Sequence, residues 1–91
     1  MQKIQTTIAG GKTLCVHAEK KDSKLEKVYI SGDFFLSPPE GIHALEEAIQ
    51  GFVSTDTQAL QEVLMYVVQR EDIRMHGFDE NTIVQLIQQL P

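Results

Sequence analysis

Along the first third of the chain apolar side chains recur at alternate positions, and along the remainder they recur every third or fourth residue. Ile4, Thr6 and Ile8 alternate, after which Gly10-Gly11 permits a tight reversal through positive φ. Leu14, Val16 and Ala18 then form the apolar face of a second strand, with Thr13, Cys15 and His17 opposite. The polar segment Lys20 to Lys24 turns the chain again. Val28 and Ile30 continue the buried face on a third strand, while Lys27, Tyr29 and Ser31 take the other side. The pattern predicts a three-stranded antiparallel meander over residues 1–31.

From residue 37 to 91 the pattern predicts helices. Ser37-Pro38-Pro39-Glu40 has the form of a capping box with proline in the first turn. Ile42, Leu45, Ala48 and Ile49 give a helical stripe, and Gly51 stands where a left-handed terminating residue belongs. Thr55 to Gln58 offers a second capping box, before a stripe of Leu60, Val63, Leu64, Val67 and Val68. Asp79 caps a third helix, with Phe78 before it and Ile83 four positions into it, the spacing of a hydrophobic staple. Ile83, Leu86, Ile87 and Leu90 complete that stripe. The expected fold class is α+β, a two-layer single domain spanning residues 1–91 in which the meander packs against about three helices.

A chain of 91 residues supports one thin core, burying roughly 60% of the surface its unfolded form exposes. Its net charge of −5, from 13 acidic and 8 basic residues, argues against phosphate-backbone binding as the main activity. The lysines gather early, at Lys12, Lys20, Lys21, Lys24 and Lys27, most of them in a solvated hairpin turn. A single cysteine excludes an internal disulfide and fits a reducing compartment. No apolar run approaches the ~20 residues of a membrane span, and "MQKIQTTIAGG" lacks the apolar stretch of a signal peptide, so the expected location is cytoplasmic.

Candidate chemistry is sparse. "GGKT" (Gly10 to Thr13) lacks the earlier glycine of a phosphate loop and is followed by a strand instead of a helix, so a hairpin turn carrying one lysine is the expectation. Cys15 and His17 share a strand face but make only half a zinc site. His43, Glu46 and Glu47 read as an exposed helix face, and His76 as a group near exposed helix carbonyls. No catalytic or metal-binding residue is assigned. The unusual feature is Gly32-Asp33-Phe34-Phe35. Gly32 ends the third strand and Asp33 suits an Asx turn. Two consecutive residues in extended backbone point to opposite sides, so one of Phe34 and Phe35 is expected to face outward as an anchor for another protein.

The stretch "GGKTLCVHAEKKDSKLEKVYISGDFFLSPPEGIHALEEAIQG" resembles the C-terminal accessory domain of lipoate–protein ligases. The shared elements are the Gly10-Gly11-Lys12 hairpin, the lysine-rich turn, Ile30 with Gly32-Asp33-Phe34-Phe35, the proline-led helix start at Pro38/Pro39, and Glu46 with Gly51. The later "IRMHGFDENTIVQLIQQL" fits the closing element of the same family. The resemblance implies the small α+β fold also seen in sulfur-acceptor and iron–sulfur scaffold proteins (SufE/NifU-like). It further implies a non-catalytic accessory domain or small subunit that acts with a large catalytic ligase subunit. That partner activates lipoate with ATP to lipoyl-adenylate, releasing pyrophosphate, and passes lipoyl to a lysine of an acceptor domain.

On this resemblance the chain alone binds no cofactor, and ATP, Mg2+ and lipoate sit at the partner. It would be a component of an ATP-dependent, AMP-forming ligase, with lipoyl acceptor domains as indirect partners and neither nucleic acid nor membrane. The expected partner interface is Lys12, Asp33, Phe34 and Phe35, supported by Gly10, Gly11, Gly32, Pro38 and Gly51. Two alternatives stand beside it: a sulfur-acceptor or cluster-scaffold protein using Cys15, and a general protein-interaction module.

Overall fold

The computed structural model describes residues 1–91. Strands β1 (Gln2–Thr7), β2 (Thr13–Lys21) and β3 (Lys24–Gly32) form an antiparallel sheet in the order β1-β2-β3, the predicted meander. Gly10 and Gly11 turn the first hairpin at φ +83° and +75°, and the Ile8 amide donates to the Lys12 carbonyl at 2.8 Å. Asp22 and Ser23 make the second turn at positive φ, so that Lys21 pairs with Lys24. Three helices follow, α1 (Gly41–Ile49), α2 (Thr57–Arg70) and α3 (Glu80–Gln89). Leu14, Val16, Ala18, Leu25, Val28 and Ile30 of the sheet share one core with Leu45, Ile49, Leu60, Leu64, Ile83 and Ile87 of the helices. Most positions of the predicted strand faces and helical stripes bury, with Ile4, Ile42, Ala48, Val63 and Val68 half-buried at the core margin, while Cys15 on the other face of β2 is buried as well.

The second half is not wholly helical, contrary to the expectation for residues 37–91. Phe35–Ser37 (β4) and Arg74–His76 (β5) pair antiparallel as a separate two-stranded ribbon, with Phe35 opposite His76 and Ser37 opposite Arg74. Three-residue strands are too short to show a period, and their pairing joins residues far apart in sequence.

The ribbon also removes the first predicted capping box. Ser37 closes β4 instead of capping a helix, and Pro38 and Pro39 lie in the turn that follows. α1 starts at Gly41 with Glu40 at the N-cap position and no side-chain cap. At α2 the cap is Asp56, whose carboxylate accepts from the Ala59 amide at 3.2 Å, in place of the predicted Thr55. The Asp79 cap forms as predicted, and Thr82 completes the reciprocal box in the role usually taken by Glu or Gln. Gly51 takes φ +88° just past α1, as a helix-terminating glycine should.

β3 lies at the edge of the sheet and would expose unpaired backbone groups. The loop after α1 covers its start: the Leu25 amide donates to the Phe52 carbonyl at 2.8 Å and the Gly51 amide to the Leu25 carbonyl at 2.6 Å. Further along, the Ile30 amide donates to Glu46 Oε2 at 2.6 Å. Glu46 is therefore buried, whereas the sequence reading put it on an exposed helix face with His43 and Glu47. His43 is exposed, and its Nδ1 lies 3.2 Å from Glu46 Oε1.

Removing the buried acceptor while leaving the Ile30 amide in place predicts that Glu46→Ala destabilises the fold by about 1–3 kcal/mol. His43→Ala, which removes only an exposed partner, should stay within about 0.5 kcal/mol of the parent. Urea unfolding of both variants checks this. Equal, small effects would show that the carboxylate does not secure the strand edge.

Candidate partner-docking surface

Lys12 stands exposed at the tip of the first hairpin, placed there by the two positive-φ glycines before it. One residue on, the Thr13 amide donates to Asp33 Oδ1 at 2.5 Å, tying the start of β2 to the end of β3. Gly32 lies directly against the same residue at φ +144°. A Cβ there would fall inside the contact radius of the Thr13 carbonyl oxygen, so only glycine fits. Asp33 thus spends one carboxylate oxygen on the fold, bonding across strands to Thr13 instead of closing a local Asx turn.

The clamp sets the directions of the two phenylalanines. Phe34 turns toward the core margin and packs edge-on against Phe78, with ring centroids 5.0 Å apart and planes at 66°. Phe35 points out from β4 and remains 64% exposed. Its one aromatic neighbour is His76 on β5, at 5.0 Å between centroids and 69° between planes. The choice left open by the sequence is decided: Phe35 is the outward ring.

His76 is therefore a strand residue that faces Phe35, not a group at helix carbonyls, and Arg74 lies two positions away on the same exposed strand. Gly77 continues toward the hairpin, where its carbonyl accepts from the Ala9 amide at 3.4 Å. Hairpin, clamp and ribbon so gather Lys12, Asp33, Phe34 and Phe35 at one end of the molecule. His76 and Arg74 join them and were missed, because their neighbours belong to a ribbon the sequence pattern does not reveal.

Cys15 lies elsewhere, in mid-β2, with Gln5 and Ser31 as its cross-strand neighbours. It is only 6% exposed. No group of three or more His, Cys, Asp or Glu side chains is arranged to hold a metal ion. No helix is long and apolar enough to cross a membrane.

Residues 3–87 match the family model for the bacterial lipoate protein ligase C-terminus. The chain belongs to that family. The fold of this ligase C-terminal domain is also seen in a chain of an archaeal lipoylation system, a bipartite lipoate protein ligase and its E2 lipoyl domain from Thermoplasma acidophilum. The two align with a TM-score of 0.72 and 18% identity over 96% of this chain and 97% of that one. No curated protein sequence matches the domain.

Because Phe34 packs on Phe78 and Phe35 does not enter the core, Phe34→Ala should destabilise the domain by about 2 kcal/mol. Phe35→Ala should change stability by less than about 0.5 kcal/mol. Thermal unfolding of the pair measures the difference, and the reverse order would mean that the rings are exchanged. Alkylation provides a separate check on Cys15. Its thiol should react with iodoacetamide at least about tenfold more slowly in the native domain than in urea, as expected of a buried sulfur. A native rate near that in urea would restore Cys15 as a candidate nucleophile.

Proposed function

We propose that this ligase C-terminal domain acts as a non-catalytic accessory subunit, required by a separate large catalytic subunit to activate lipoate with ATP to lipoyl-adenylate. The observation that carries this reading is the family match over residues 3–87 in a chain that also aligns with 97% of one chain of a bipartite ligase. The near-complete overlap with a single chain of a bipartite system supports a ligase whose C-terminal domain works beside a separate catalytic part.

In this reading the outward Phe35 ring anchors the domain on the catalytic subunit. Asp33 and Gly32 act as positioning residues: they fix the strand end from which Phe35 projects. Phe34 braces that end from within through Phe78. Lys12, free at the hairpin tip, meets the acidic rim of the partner's site or the anionic adenylate held there. Docking orders the partner's active-site loops and shields the mixed anhydride from water. The chemistry, with its ATP, Mg2+, lipoate and the acceptor lysine of a lipoyl domain, belongs to the partner.

The test is lipoate-dependent pyrophosphate release by the host's large ligase subunit, with and without this chain. Release that appears only on addition is the expected result. No stimulation, together with no complex on gel filtration, would sink the accessory role. Burial of one phenyl ring contributes about 1.5–3 kcal/mol, so Phe35→Ala should weaken the complex by roughly ten- to a hundredfold while the domain stays folded. Normal binding by that variant would move the interface away from the ribbon.

A further inference from the structure

Six large apolar side chains are exposed, and two of them, Met65 at 49% and Tyr66 at 60%, stand side by side on α2. Beside Tyr66 a groove of about 350 Å³ runs between α1 and α2. Its floor is shallow because α1 contributes Ala44 and Ala48 there, one turn apart, opposite Val63 of α2. Residues one turn apart on a helix repeat at about 5.4 Å, the spacing at which a third helix presents its own i and i+4 side chains.

We propose that this groove docks a basic amphipathic helix of a partner protein, its apolar stripe against Ala44, Ala48 and Tyr66. The charges at the rim select the sign of that helix. Arg70 is already engaged: its Nε lies 3.4 Å from Glu71 Oε2, and its guanidinium carbon lies 5.5 Å from the centre of the Tyr66 ring. Glu47, at the opposite rim, is exposed and forms no ion pair. Glu71 also lines the groove, which therefore carries two carboxylates against one arginine, and residues 34–91 as a whole carry nine carboxylates against two arginines.

Lysines or arginines flanking the apolar stripe of an incoming helix would therefore find Glu47 and the wider acidic field, as groove-bound amphipathic helices commonly do. The same field disfavours nucleic acid and disfavours a second copy, which would bring an equally acidic face. The groove uses none of Lys12, Asp33, Phe34 or Phe35, so it stands independently of the ligase reading.

The probe is a fluorescein-labelled synthetic helix with leucines at i, i+3, i+4 and i+7 and lysines on both flanks. Its counterpart has the same leucines and glutamates on the flanks. Anisotropy titrations against the full chain should show binding of the lysine peptide only, weakening as salt is raised. Ala48→Leu, which fills the floor, should lower affinity by about tenfold or more, and Tyr66→Ala, which removes the aromatic wall, by a comparable factor. The exposed reversal Glu47→Lys should lower it by roughly three- to tenfold without touching the floor. Failure of both peptides, equal binding of both, or unchanged affinity in all three variants would overturn the proposal. So would concentration-dependent dimerisation of the chain that Ala48→Leu abolishes, because a second copy would then be the occupant.

Discussion

The contact between Thr13 and the Gly32-Asp33 pair governs the end of the domain that carries the hairpin tip and the ribbon. A backbone amide meets a carboxylate at 2.5 Å, and the neighbouring carbonyl presses on a glycine that has no room for a side chain. Both parts are needed. The glycine lets β3 stop beside β2 at a positive φ, and the carboxylate satisfies an amide that the sheet leaves unpaired. From that fixed point the chain leaves as β4, and the alternation of an extended backbone sends Phe34 inward and Phe35 outward. β5 then aligns on β4 and places His76 against the outward ring. The surface proposed for partner docking is thus a consequence of one turn, held by contacts within the chain.

A similar economy closes the edge of β3. A small two-layer domain has few elements with which to cover a strand edge, and here two pieces of one connection do so. Glu46 reaches from α1 to the Ile30 amide, and the loop beyond α1 bonds Leu25 through Gly51 and Phe52. A carboxylate buried for this purpose carries a desolvation penalty, which the charge-assisted bond to the amide offsets. These bonds occupy part of the β3 edge, and the exposed large apolar side chains include Phe35 on the ribbon and Met65 and Tyr66 on α2.

Where the sequence misled, the cause was a contact between distant residues. Glu46 lies one turn beyond Ile42 and one turn before Ile49, so its place on the buried stripe was visible in the spacing. Its partner, the Ile30 amide, was not. Ser37 has the composition of a helix cap, but pairing opposite Arg74 drew it into a strand. His76, read as a helix-end residue, acquires its neighbour only when β5 meets β4.

What the chain determined by itself is the part controlled by local sterics and periodicity. Alternating residues from Ile4 to Ile30 define the sheet's core-facing side, and the stripes ending at Ile49, Val68 and Leu90 define the helices. Gly10, Gly11 and Gly51 mark their turns through backbone freedom that other residues lack. The order of the Gly-Gly-Lys hairpin, the Gly-Asp-Phe-Phe turn and the proline-led connection was enough to indicate the ligase family. The tertiary structure alone decided which phenylalanine is exposed, that Glu46 is buried, that Cys15 is enclosed, and that α1 and α2 leave a groove between them. Each of these depends on which surfaces meet across 16 or more residues of chain or across packed elements, and no local pattern encodes that meeting.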